Sequence, residues 1–226
     1  MDDPAQEQEE QVHDIILDGD NEREAPPPQS YNQQQHPQSL TPQQGQPGMM
    51  DVDEIPTVRD GEAFAAKHMP DLGQEVEDFQ TQTWKIENWS QQAKRLQGPE
   101  FSCGGHKWRI LLFPQGNANG QPNDMVSVYL DYADPKAAPE GWHACAQFAL
   151  AISNPNDPSI YTVSHAHHRF VAEECDWGFT RFADLRKLHQ SDGRGRPTIE
   201  NDEVEITAFV RVLKDPTGVL WHNFVK

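Results

Sequence analysis

The chain has 226 residues, with 36 acidic and 18 basic side chains and a net charge of −18. Carboxylates in such excess repel phosphates, which argues against a nucleic-acid partner and against an anionic membrane surface. Only 35% of the residues are hydrophobic, low for a chain that packs along its whole length.

The charge is concentrated at the start. Residues 1–80 carry 19 acidic and 3 basic side chains, against 17 and 15 in residues 81–226. Every tryptophan (Trp84, Trp89, Trp108, Trp142, Trp177, Trp221) and every cysteine (Cys103, Cys145, Cys175) lies in the second part. The sequence therefore predicts an acidic leader followed by a near-neutral, aromatic-rich domain long enough to bury a core. Three cysteines cannot all pair with one another. Met1-Asp2-Asp3 lacks the basic start and apolar stretch of a signal peptide, and no apolar run approaches the roughly 20 residues of a membrane span. The expectation is an intracellular protein of the nucleus or cytoplasm with reduced thiols and no cofactor.

Residues 26–48 hold eight Gln and six Pro. Such a stretch buries too little to offset the entropy of ordering it, so 1–57 reads as a disordered acidic, Gln/Pro-rich tail. The apolar patch Ile15-Ile16-Leu17 within it reads as a chance triplet. Residues 58–80 read as a linker with a short helix over 58–68, Asp60 at its N-cap and Phe64 and Ala65 on one face. From Thr81 the period becomes two. Strands are predicted at Thr81–Ile86, His106–Phe113, Met125–Tyr132, Trp142–Ile152, Ser159–Ser164 and Val204–Leu213, separated by Asn/Asp/Pro/Gly clusters. One short helix is predicted over 181–189. Many strands with long turns and little helix predict an all-β antiparallel sandwich over 81–214, followed by a linker at 215–226.

Four motifs then fall in order: Thr83-Trp84-Lys85-Ile86-Glu87-Asn88-Trp89-Ser90; Pro99 to Ile110 through Gly104-Gly105; Phe113-Pro114-Gln115-Gly116-Asn117; and Asp176-Trp177-Gly178-Phe179. Together they resemble a MATH domain, the TRAF-like β-sandwich. Within that family they are most similar to the N-terminal region of MATH-containing ubiquitin-specific proteases of fungal type. Read physically, Gly104-Gly105 permits a turn at positive φ, and Trp84 with Ile86, like Trp108 with Ile110, shares a core-facing side of its strand.

The resemblance implies a groove for an extended Pro/Ala-x-x-Ser-like peptide, filled by strand addition at a sheet edge. It places that edge at about 164–170, where His167 offers main-chain groups. Asp176 accepts the peptide Ser hydroxyl, Trp177 packs on the residue before it, and Tyr129 forms the apolar floor. Ser164 and Gln115 stand where family members carry arginines, which removes a preference for acidic peptides. The implied partners are ubiquitinated client proteins, with no nucleic acid and no membrane. The implied function is substrate recognition for a deubiquitinating protease whose catalytic boxes lie outside this chain; the alternative is a protease-free adaptor that self-assembles or serves a ubiquitin ligase. In the family the catalytic domain follows the region where this chain ends.

Two other constellations carry less. His165, His167 and His168 with Cys175, or Cys103 with His106, suggest zinc, but four ligands in two tight pairs are not evident. His143 and Cys145 share one face of a strand, as a Cys-His hydrolase would need, yet no orienting third group or oxyanion hole is marked. No catalytic residue is therefore expected in the chain.

Overall fold

The computed structural model describes residues 56–117 and 124–215, apart from Asp192 and Arg194. The Gln/Pro-rich leader through residue 55 and the segment 216–226 lie outside the described residues. Period-two stretches become strands: β1 Val76–Ile86, β2 Leu96–Gln97, β3 Phe101–Cys103, β4 His106–Phe113, β5 Met125–Tyr132, β6 Ala144–Ser153, β7 Tyr161–Phe170, β8 Asp176–Asp184 and β9 Val204–Leu213, with helices α1 Gly61–His68 and α2 Leu185–Leu188. The strands form two antiparallel sheets, one in the order β1-β9-β6-β7 and the other β2-β4-β5-β8, with β3 added onto β4.

The core lies between the sheets. Ile86 of β1, Trp108 and Ile110 of β4, Val128 and Leu130 of β5, Phe148 and Leu150 of β6 and Ile206 and Val210 of β9 all face it. Trp108 is fully buried and its indole N–H donates to the Cys103 carbonyl at 3.1 Å, so the large ring enters the core without an orphaned donor. The β3–β4 hairpin turns on Gly104 and Gly105, at φ 59° and 73°, the mirror-image turn that matches strand twist. A side chain at Gly104 would also strike Val212, since a Cβ there meets it at 2.5 Å. The Gly104 N–H donates to Asp78 Oδ2 at 2.8 Å, which ties the turn to β1 and holds the Asp78 carboxyl below the usual range.

The segment read as a linker packs on the sandwich as a third layer. β6 is buried at every residue, on both faces, and its outer row contains the small Ala149 and Ala151. They let α1 approach: Phe64, fully buried, stacks on Phe209 of β9 at 4.7 Å and meets Tyr161 of β7 edge-on at 4.9 Å. Gln147 Nε2 donates to the Pro70 carbonyl at 2.6 Å, and Arg211 donates to Gln147 Oε1 at 3.2 Å. Asp60 does stand at the N-cap, but its carboxylate accepts from Thr57 N and Oγ1, both at 2.8 Å, rather than from the helix. β1 in turn reaches back to Val76, five residues before the alternation in the sequence becomes clear.

Two elements differ from the sequence reading. The stretch 181–189 is not one helix: Arg181 to Asp184 finish β8, and only Leu185–Leu188 is helical, capped by Asp184 accepting from the Arg186 N–H at 3.0 Å. Phe182, Leu185 and Leu188 have helical spacing, yet pairing of Ala183 with Val126 outweighs it. The strand read at 159–164 extends as one ladder against β6 from Tyr161 to Phe170.

Candidate peptide-binding edge

β7 and β8 are the outer strands of their respective sheets, and they lie side by side where the two sheets meet. Among the described residues neither has a ladder partner strand on its outer side, the feature that recruits an added strand. The Asp176-Trp177 pair opens β8 and belongs to the β8 edge.

Register decides which way each side chain points. Asp176 pairs with Asp131, Trp177 with Leu130, Gly178 with Tyr129 and Phe179 with Val128. Leu130 and Val128 face the core, so Trp177 and Phe179 turn inward, while Asp176 and Tyr129 share the outer face of their sheet. Tyr129 is only 7% exposed. Its ring lies edge-on to Phe113, and its hydroxyl is 3.0 Å from Thr180 Oγ1. Gly178 allows this packing: a Cβ there would come 2.3 Å from the Val128 carbonyl oxygen and 2.5 Å from Tyr129 Cα.

Beneath Asp176, Arg109 Nε donates to buried Asp131 Oδ2 at 2.5 Å. Burial still raises the Asp131 carboxyl above its ordinary value, with the guanidinium opposing the rise. Cys175 completes the corner, its thiol also pushed up, by burial first and by Asp176 and Asp131 next. Ligand atoms of Asp131, Cys175 and Asp176 lie within 4.8 Å of one another, but Asp131 is committed to Arg109 and three donors fall short of the four that structural zinc takes.

The remaining sequence-derived residues divide. On β7, Ser164 pairs with core-facing Leu150 and so points inward, whereas His167 pairs with Gln147 and is exposed on the outer face of the other sheet. Asp176 and Tyr129 are thus brought to one face, Trp177 to the opposite side of the same strand, and His167 reaches the region only through its backbone. Gln115 stands at the turn that follows β4. The sequence reading missed Thr180, which holds the Tyr129 hydroxyl, and His168, which lies flat on Trp177 with ring centroids 4.1 Å apart and planes 4° apart. Alternation along Asp176, Gly178 and Thr180 was a usable signal for the first. Nothing local marks the second.

The histidine run does not gather for a metal, because His165 and His167 point to the outer face and His168 inward. Cys103 and His106 are opposite partners across the tight hairpin, and the Cys103 thiol donates to the Val210 carbonyl at 3.4 Å. His143 and Cys145 line a cavity of about 240 Å³ with Glu77 and Asp215. The Cys145 thiol is pushed up to about 12 by burial and by Asp215, to which it donates at 3.3 Å. A thiol held protonated is a poor nucleophile.

The MATH domain profile matches residues 81–210, more than half of the chain. The chain belongs to the MATH domain family. Over 159 residues it is 41% identical to ubiquitin carboxyl-terminal hydrolase 5 of Schizosaccharomyces pombe, an alignment covering 69% of this chain and 14% of that protein. Over 172 residues it is likewise 41% identical to ubiquitin carboxyl-terminal hydrolase 15 of Saccharomyces cerevisiae, covering 70% and 14%. It is 37% identical over 134 residues to the MATH domain and coiled-coil domain-containing protein At3g58210 of Arabidopsis thaliana, covering 58% of this chain and 39% of that one. Among solved structures it is similar to Notothenia coriiceps TRAF5, with a TM-score of 0.41, 15% identity, and coverage of 61% of this chain and 75% of that one. This MATH domain chain thus spans about a seventh of the length of the two fungal hydrolases. Its motif Asp176 to Phe179 falls inside the matched region, on the sandwich edge.

Proposed function

We propose that this MATH domain is the substrate-recognition module of a deubiquitinating cysteine protease, and that it binds short extended Pro/Ala-x-x-Ser-like segments of ubiquitinated client proteins. The observation that carries this reading is the position of Asp176 and Trp177 on the open edge of β8. An extended peptide adds along the neighbouring β7 edge, at about 164–170, by main-chain hydrogen bonds, and side chains at alternate positions give selectivity. Asp176 accepts the peptide Ser hydroxyl, Trp177 packs on the preceding residue, and Tyr129 supplies the floor. Ser164 and the His167 backbone flank the peptide from β7. The fungal hydrolases among the relatives support the protease context. The plant coiled-coil relative supports the second reading, a protease-free adaptor that serves a ubiquitin ligase or self-assembles.

An interface this small is expected to bind at micromolar Kd, on the order of −6 to −8 kcal/mol. Titrating a fluorescein-labelled Ala-x-x-Ser peptide by anisotropy tests the reading. Asp176→Ala and Trp177→Ala should each weaken binding by about tenfold or more, the typical loss at a central contact. Wild-type affinity in both variants would remove the assignment of the groove to Asp176 and Trp177.

A further inference from the structure

Trp177 receives a flat contact from the other sheet. His168 of β7 faces inward, opposite Ala146, and its imidazole covers one face of the indole at 4.1 Å and 4°. Behind it the ring meets Phe170 edge-on at 4.9 Å, and Phe170 meets Trp108 at 4.8 Å. A continuous aromatic chain therefore runs from the centre of the core to the rim of the sandwich, with His168 as its last link before Trp177. The His168 side chain is 11% exposed, and its Nε2 has no hydrogen-bond partner, with a Glu174 carboxylate oxygen 3.6 Å away. A buried donor or acceptor left unpaired carries a cost that an apolar side chain would not. The imidazole is thus suboptimal for packing alone. What it supplies is a thin, planar surface against the indole.

We propose that His168 is a positioning and specificity-determining residue of the peptide groove: by stacking on Trp177 it fixes the indole plane and closes one of its two faces, so that only a small residue fits against the other. This rests on the peptide groove running past Asp176 and Trp177. Without His168 the indole can tilt into the space between β7 and β8, and the groove widens. Removal should relax selectivity more than it lowers affinity, because the strand backbone and Asp176 are untouched. An aromatic replacement restores the stack and should restore selectivity.

Two measurements separate the possible failures. The first uses no peptide: the near-UV circular dichroism of Trp177, obtained as the difference from Trp177→Phe, in wild type, His168→Ala and His168→Phe. His168→Ala should abolish most of the Trp177 signal and His168→Phe should preserve it, with thermal melting confirming that both are folded. An unchanged signal in His168→Ala overturns the proposal. The second uses Ala-x-x-Ser peptides carrying Ala or Leu immediately before the Ser. Wild type should prefer Ala by about tenfold, the scale of discrimination available to an apolar pocket. The ratio should fall towards one in His168→Ala and return in His168→Phe. A changed indole signal with an unchanged ratio overturns the specificity role. If no peptide affinity depends on Trp177, the groove reading fails and this proposal fails with it, whatever the spectrum shows.

Discussion

Gly178 and Tyr129 face each other across the β5–β8 ladder at a separation that admits no side chain on the glycine. The contact sets the depth at which β8 lies against β5, and hence how Asp176 and Trp177 are presented. Gly178→Ala must push the strands apart or displace the Val128 carbonyl, an overpacking that costs about 1–3 kcal/mol. A fall in Tm of several degrees is expected, together with weakened peptide binding. If the variant melts with wild type and binds as tightly, the close approach is not a constraint on the edge.

Phe64 tests whether the N-terminal layer is part of the fold. It is fully buried against Phe209, Tyr161 and the alanines of β6. Truncating a buried phenylalanine costs about 3–5 kcal/mol. Urea denaturation of Phe64→Ala should show a loss in that range without a change of slope. A loss below about 0.5 kcal/mol, the level of an ordinary surface substitution, would mean that α1 rests on the sheet without stabilising it.

The Arg109–Asp131 pair is a buried ion pair beneath Asp176, and Asp131 is only 6% exposed. Removing one partner leaves an uncompensated buried ion, at about 3–5 kcal/mol. Arg109→Ala should therefore destabilise more than the double replacement Arg109→Ala/Asp131→Ala. Chemical denaturation of the two singles and the double gives the coupling; a double variant at the sum of the singles would show that the pair does not act as a unit.

Acid should loosen the contact that holds Trp177. Burial pushes the His168 imidazole down from 6.5 to about 4; Glu174 raises it and His167 lowers it further, while its partners Ala146 and Trp177 do not titrate. The neutral ring is the one favoured in the folded state. Its contribution is thus complete above pH 6.5, is lost as pH falls from there towards 4, and amounts to about 3 kcal/mol at the acid end. Stability measured at pH 7, 5.5 and 4 should fall more steeply for wild type than for His168→Phe. Parallel pH profiles would show that His168 titrates as it does in the unfolded chain.

Much of the sandwich was readable along the chain because its signals are local. Alternation marked β4, β5 and β9, and the pairs Trp84/Ile86 and Trp108/Ile110 pointed to the core as their period required. Gly104-Gly105 announced its turn, since two consecutive positive φ angles strongly favour glycine. Asp176-Trp177 could be singled out as motif residues from their resemblance to a family. Which strands are edges, and on which side of β8 each residue falls, depended on partners far away in sequence. The order β2-β4-β5-β8 is set by packing among segments tens of residues apart, and so is the docking of Phe64 on Phe209. Local period tells a strand that it has two faces; only the assembled sheets determine what covers each. That is why Trp177 could be singled out from a motif carried in the chain, whereas His168, which stacks on it, emerged only from the tertiary structure.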